Sequence, residues 1–165
     1  MNYLLEVKNL FKHFFVRSSN SIQGDQISLS DRENSLDKII SSEKADINEG
    51  AIFFEYSGAN SILMWFEDTE SDIDSVLSDT YTSFVQSQPD VTFSLEAEGD
   101  VTVDSKTGKY LSFSTTSSSG DNGGGIIGSW RCSPDKVFAS TATGSDATVV
   151  QIRFKRLLDE FTCST

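Results

Sequence analysis

The feature that most constrains the fold is a change in apolar spacing between residues 73 and 97. Ile73, Val76, Leu77, Tyr81, Phe84 and Val85 recur at i, i+3 and i+4 intervals, which places them on one face of a helix. Pro89 ends that pattern. Val91, Phe93, Leu95 and Ala97 then alternate with Thr92, Ser94, Glu96 and Glu98, the period-two signature of a strand with one solvated face. A chain that changes from one period to the other so abruptly must pack an amphipathic helix on a sheet.

The rest of the sequence extends that logic. Two short apolar runs, 51–56 and 62–66, flank Ser57-Gly58-Ala59-Asn60 and predict a strand pair. Thr69 or Ser71 can cap the helix that follows. Downstream, 101–103 and 109–115 are joined by Asp104-Ser105-Lys106-Thr107-Gly108, a hairpin signal. A glycine-rich segment, 119–125, precedes strand candidates 126–132 and 137–142, which Ser133-Pro134-Asp135-Lys136 connects. Ser145 or Asp146 caps a closing helix with Val150, Phe154, Leu157, Leu158 and Phe161 on one face. Two strands, a helix, five strands and a helix give an α+β fold: a mostly antiparallel sheet of about six or seven strands packed with two main helices, an α/β/α sandwich.

Upstream, Tyr3, Val7, Leu10, Phe11, Phe14 and Phe15 stand at helical spacing, so residues 1–17 read as an amphipathic helix appended to the fold. Residues 18–34 are polar and read as a linker, and 35–165 as a single α+β domain. Leu36, Ile39, Ile40 and Ile47 allow a short helix after Asp31 or Ser35. The opening residues, from Leu4-Leu5-Glu6-Val7-Lys8-Asn9-Leu10 to Val16, also resemble the first strand of peptide-transporter ATPases. No G-x-x-x-x-G-K-[ST] loop follows, and Gly108-Lys109-Tyr110 lacks both the upstream glycine and the hydroxyl for magnesium, so the ATPase reading is rejected.

At 165 residues and 37% apolar content, with twelve Phe, the chain can bury one aromatic-rich core. Its net charge of −12 is unevenly spread: from Glu43 to Asp104 there are fifteen Asp or Glu against Lys44 alone. Such a face keeps a protein soluble, or it docks a basic protein partner or divalent cations. Nucleic acid is disfavoured, because phosphate binding needs a basic stripe. No apolar run approaches the roughly 20 residues of a membrane span. Charged residues interrupt any signal-peptide core near the start, which leaves a cytoplasmic protein or an exported one shown without its leader.

Cys132 and Cys163 are the two cysteines. One is expected at the end of a strand and the other just past the following helix, positions suited to a disulfide; two buried thiols are the alternative. The glycine-rich segment precedes a strand pattern rather than a helix, so it is expected to be a hairpin loop and not a phosphate cradle. His13 is the single histidine, which disfavours triad catalysis and His-based zinc sites. Glu67, Asp68, Glu70, Asp72 and Asp74 are the candidate oxygen ligands for calcium, although they lack the glycine and terminal glutamate of an EF-hand loop; their other role is to favour a helix N-terminus. Carboxylates of the same region carry the alternative of a small hydrolase. Trp130 and Arg131 should point to opposite faces of their strand.

With that order of elements, residues from about Ala51 to Cys163 resemble the PsbP-like fold. That fold is shared by the extrinsic subunit of photosystem II and the Mog-type Ran-binding proteins. The resemblance rests on the helix followed by 91–97, the strands Lys109-Tyr110-Leu111-Ser112-Phe113 and Ile126-Ile127-Gly128-Ser129-Trp130, and the closing helix with Phe161. The pairs Trp130-Arg131-Cys132 and Phe161-Thr162-Cys163 are similar to those of prokaryotic proteins of this type. The resemblance implies a non-enzymatic binding or assembly domain that takes a protein partner or modulates an ion-dependent assembly. It transfers no photosystem or Ran-contact residue.

Overall fold

The computed structural model describes residues 22–23, 26–27, 36–43, 49–56 and 58–163. The helix expected within 1–17 lies outside them. Within the expected linker, β1 (Ile22–Gln23) and β2 (Gln26–Ile27) pair as a two-stranded sheet. The main sheet contains β3 (Leu36–Glu43), β4 (Gly50–Tyr56), β5 (Ala59–Glu67), β6 (Val91–Val103), β7 (Lys106–Ser117), β8 (Asn122–Ser133) and β9 (Lys136–Gly144). Its helices are α1 (Ile73–Gln86) and α2 (Ala147–Glu160). Six antiparallel strands, β4 to β9, carry β3 at one edge, in the order β3-β4-β5-β9-β8-β7-β6. No helix among the described residues is long and apolar enough to cross a membrane.

Three local expectations are corrected. Residues 36–43 form a strand where a short helix was allowed, because Leu36 and Ile39 pair with Tyr56 and Phe54 across β4. The stretches 91–97 and 101–103 are one strand, carried past Leu95 and Ala97 by a register shift against β7. Gly123, Gly124 and Gly125 lie inside β8 and not in a loop; the connection itself is Ser118 to Asp121.

Packing explains those glycines. A Cβ on Gly125 would stand 2.3 Å from the Phe113 ring, and one on Gly128 would stand 2.6 Å from Phe154. The two lie on opposite faces of β8, where side chains of β7 and α2 come down on the backbone. Glycine is required by these distant aromatics, with no part played by loop flexibility.

The helices cover opposite faces. α1 packs on β7, β8 and β9, while α2 packs on β5, β6, β8 and β9. Under α2 lies the larger core, with Leu63, Trp65, Ile126, Trp130, Phe138, Val150, Phe154 and Phe161 buried together. The Trp130 and Phe138 rings stack 5.9 Å apart, and Phe161 meets both edge-on at 4.9 Å. Under α1, Leu77, Leu111, Phe113 and Ile127 form a second core against Tyr81, Phe84 and Phe93. Asp72 caps α1 by accepting from Ser75 N–H at 2.7 Å, and Asp146 caps α2 by accepting from Thr148 and Val149 N–H.

Cys132 and Cys163 form a disulfide, with Cα atoms 5.2 Å apart. The bridge lies in the larger core and fastens the end of the chain after α2 to β8. Asp104 adds a second anchor by accepting from Cys163 N–H at 2.8 Å.

Candidate functional site

Because α1 sits over β7 to β9, no described helix packs on the same sheet face over β5 and β4. The alternation of β5 turns Leu63 and Trp65 into the larger core and Ile62, Met64 and Phe66 the other way. Facing α1, these three floor a groove of about 420 Å³. Val76, Asp79, Thr80, Ser83 and Phe84 of α1 form its wall, and Asp68 and Ser71 close one end. On β4, Ala51 and Phe53 pair with Met64 and Ile62 and continue the half-buried apolar face. Among the described residues, the groove lining includes two carboxylates, Asp68 and Asp79, and no Lys or Arg.

The end of the groove is held by Arg131. Trp130 is fully buried under α2, so Arg131 emerges on the α1 side. Its guanidinium donates to the Asp68 carbonyl, to the Ser71 carbonyl at 2.6 Å and to the Pro134 carbonyl at 2.9 Å. The planar fork therefore ties the loop before α1 to the β8–β9 turn. Ser129 Oγ adds a bond to the Ile73 carbonyl at 2.9 Å.

The five acidic candidates do not converge. Asp68 accepts from the N–H groups of Glu70 and Ser71, both at 2.8 Å, and Asp72 is the cap of α1. Glu67 lies 3.8 Å from the buried Lys136, and Asp74 lies 4.0 Å from Lys109, which Asp100 approaches to 2.6 Å. Among the described residues, no group of three or more His, Cys, Asp or Glu is placed to hold a metal ion. In this arrangement Asp68 and Asp72 serve neighbouring backbone N–H groups, and Glu67 and Asp74 face Lys136 and Lys109.

Titration behaviour follows the same bonds. The Ser71 backbone N–H and hydroxyl, then the Glu70 N–H, hold the Asp68 carboxyl below its ordinary range, and the Arg131 charge acts in the same direction. Ser75 lowers Asp72 through its N–H and hydroxyl, and the Ser133 hydroxyl lowers Asp135. Lys109 is raised by its hydrogen bond to Asp100 and by the Asp100 and Asp74 charges.

Arg131 was expected on the face opposite Trp130, but its clamp on backbone carbonyls was not legible. The groove was not legible in the sequence, since its floor and wall come from two elements whose relative placement depends on the sheet order. The single available signal was the run 62–66, which makes one strand apolar on both faces. Chemically, an apolar floor with carboxylates on its rim can hold an amphipathic cationic segment.

No protein-family model matches the chain, and no curated protein matches it. Among solved structures, it is similar to a Pseudomonas aeruginosa protein of unknown function described as a putative regulator, with a TM-score of 0.46 and 11% identity. The match covers 89% of this chain and 97% of that one. It carries no functional assignment.

Proposed function

We propose that this chain is a non-enzymatic binding or assembly module of the PsbP-like kind, whose acidic face docks a basic protein partner. The observation that supports the reading is the groove between α1 and β5, with Ile62, Met64 and Phe66 beneath and Asp68 and Asp79 at its edge. An amphipathic helix with apolar residues at i, i+3, i+4 and i+7 and lysines beside them matches that chemistry. The apolar stripe would cover the half-exposed floor and the cations would meet the rim, so binding should weaken as salt screens the charges. The alternative, a small carboxylate-dependent hydrolase, has less to support it, because Asp68 and Asp72 are engaged by neighbouring backbone N–H groups.

The test is a fluorescence-anisotropy titration of the full chain with a labelled Lys/Leu amphipathic peptide and its Glu/Leu counterpart. Saturable binding of the cationic peptide alone is expected, weakened about tenfold by Asp79→Lys, whose site is exposed on α1. Equal binding of both peptides, or no binding up to millimolar peptide, would overturn the reading.

A further inference from the structure

The geometry points to a second binding site, on the opposite face of the sheet from the groove: a hollow between α2 and the β6–β7 pair that takes a small, uncharged molecule with an apolar body and one hydrogen-bonding head. It is independent of the docking reading, since no residue lines both spaces.

The hollow follows from where α2 presses on the sheet. α2 packs on β8 and β9, where Phe154 comes down on Gly128. Beyond them, the row facing α2 runs Ile126, Ser112, Ala97 across the register of β8, β7 and β6. Two small side chains thus stand beside the helix and leave a space of about 360 Å³, within the range of small-ligand sites. Val101, Ile126, Phe154 and Leu158 give it apolar walls. Gly99 leaves room for the Tyr110 ring, which a Cβ there would approach to 3.1 Å.

Ser112 carries the inference. It is only 6% exposed and lines the hollow, yet its hydroxyl has no hydrogen-bond partner among the described residues. Other sheet serines are engaged: Ser129 donates to the Ile73 carbonyl and Ser114 to the Glu96 carboxylate. A hydroxyl so enclosed is expected to be satisfied, and a ligand head group in the hollow can satisfy it. Tyr110 and Gln151 set further hydrogen-bonding groups around the same space. The charge of the head follows from Lys155, the one charged residue of the described lining, which is already paired with Asp159 at 2.5 Å. An anion would compete with Asp159 and approach a chain of net charge −12, and a cation would meet Lys155 itself. A neutral phenol, alcohol or amide head fits both conditions.

The test uses 2-naphthol as the probe and 2-naphthoate as its anionic counterpart, each titrated into the full chain by methyl-resolved NMR at neutral pH. Saturable shifts at Val101, Ile126 and Leu158 are expected from 2-naphthol, with Ile62 and Met64 unmoved, and 2-naphthoate should bind about tenfold more weakly. Ser112→Ala should weaken 2-naphthol about fivefold, the loss of one neutral hydrogen bond. Ala97→Phe, at an exposed position of β6, should fill the hollow and abolish binding; circular dichroism checks its folding, and if it unfolds Ser112→Ala decides alone. No saturable shift up to the solubility limit of 2-naphthol, shifts centred elsewhere, equal binding of 2-naphthoate, or wild-type affinity in Ser112→Ala would overturn the inference. The docking reading concerns the other face and stands or falls by its own peptide titration.

Discussion

Removing the Cys132–Cys163 bridge should lower stability by about 3.7 kcal/mol. The cysteines are separated by 31 positions in sequence, and in the chain-entropy account a loop of that size, closed in the unfolded ensemble, is worth about that much at 25 °C. The native contribution should be small. Cys132 and Cys163 are only 6% and 7% exposed within the larger core, and Asp104 holds the Cys163 backbone independently. The folded tail therefore remains in place after reduction, and the loss comes from the freedom regained by the unfolded chain. For a chain of 165 residues, this corresponds to a Tm drop of roughly 7–15 °C. Thermal unfolding by circular dichroism, with and without reductant and in Cys132→Ala/Cys163→Ala, measures it, with intact mass confirming the bridge beforehand. A drop below about 2 °C in verified oxidised protein would refute the entropic reasoning. Free thiols in the protein as purified under oxidising conditions would refute the bridge itself.

Four further outcomes are expected. Gly128→Ala places a Cβ 2.6 Å from Phe154 and should cost about 1–3 kcal/mol by overpacking, measured by urea unfolding. Arg131→Met removes a donor fork from three carbonyls; a loss of about 2 kcal/mol, with weaker cationic-peptide binding as the Asp68 loop loosens, should appear together. Ser105 has φ 65° in the β6–β7 turn, so Ser105→Gly should stabilise by about 0.5–1 kcal/mol in the same assay. Asp68, Asp72 and Asp135 are lowered from 3.8. The folded state thus holds these protons less tightly than the unfolded chain. Their stabilisation is present above pH 3.8 and is lost as pH falls through the lower folded values, which a Tm profile in acid should show as a decline that is smaller in Asp72→Ala.

Much of the fold was legible because helix and strand periods are local. The α1 and α2 faces, the hairpin at Asp104 and the paired cysteines all follow from short-range spacing combined with element order. Where reading failed, the deciding atoms were distant in sequence. The glycines of β8 answer to Phe113 and Phe154, so they looked like a loop until those rings were placed above them. Leu36, Ile39 and Ile40 suit a helix as well as a strand, and only the neighbouring β4 decides. The acids from Glu67 to Asp74 are close in sequence, yet their partners are backbone N–H groups, Lys109 and Lys136, which pull them apart. The groove depends on which strands α1 leaves uncovered, a property of sheet order that no single segment encodes.

The central claim is that the groove beside α1 docks a cationic amphipathic helix. Methyl-resolved NMR of the full chain, titrated with the Lys/Leu peptide, tests it most directly. Ile62 and Met64 line the groove, whereas Leu63 and Leu157 are buried on the opposite face. The account predicts saturable shifts at Ile62 and Met64 with Leu63 and Leu157 unmoved. Shifts centred on Leu95 at the β6 edge, or on the α2 face, with Ile62 and Met64 silent, would contradict it.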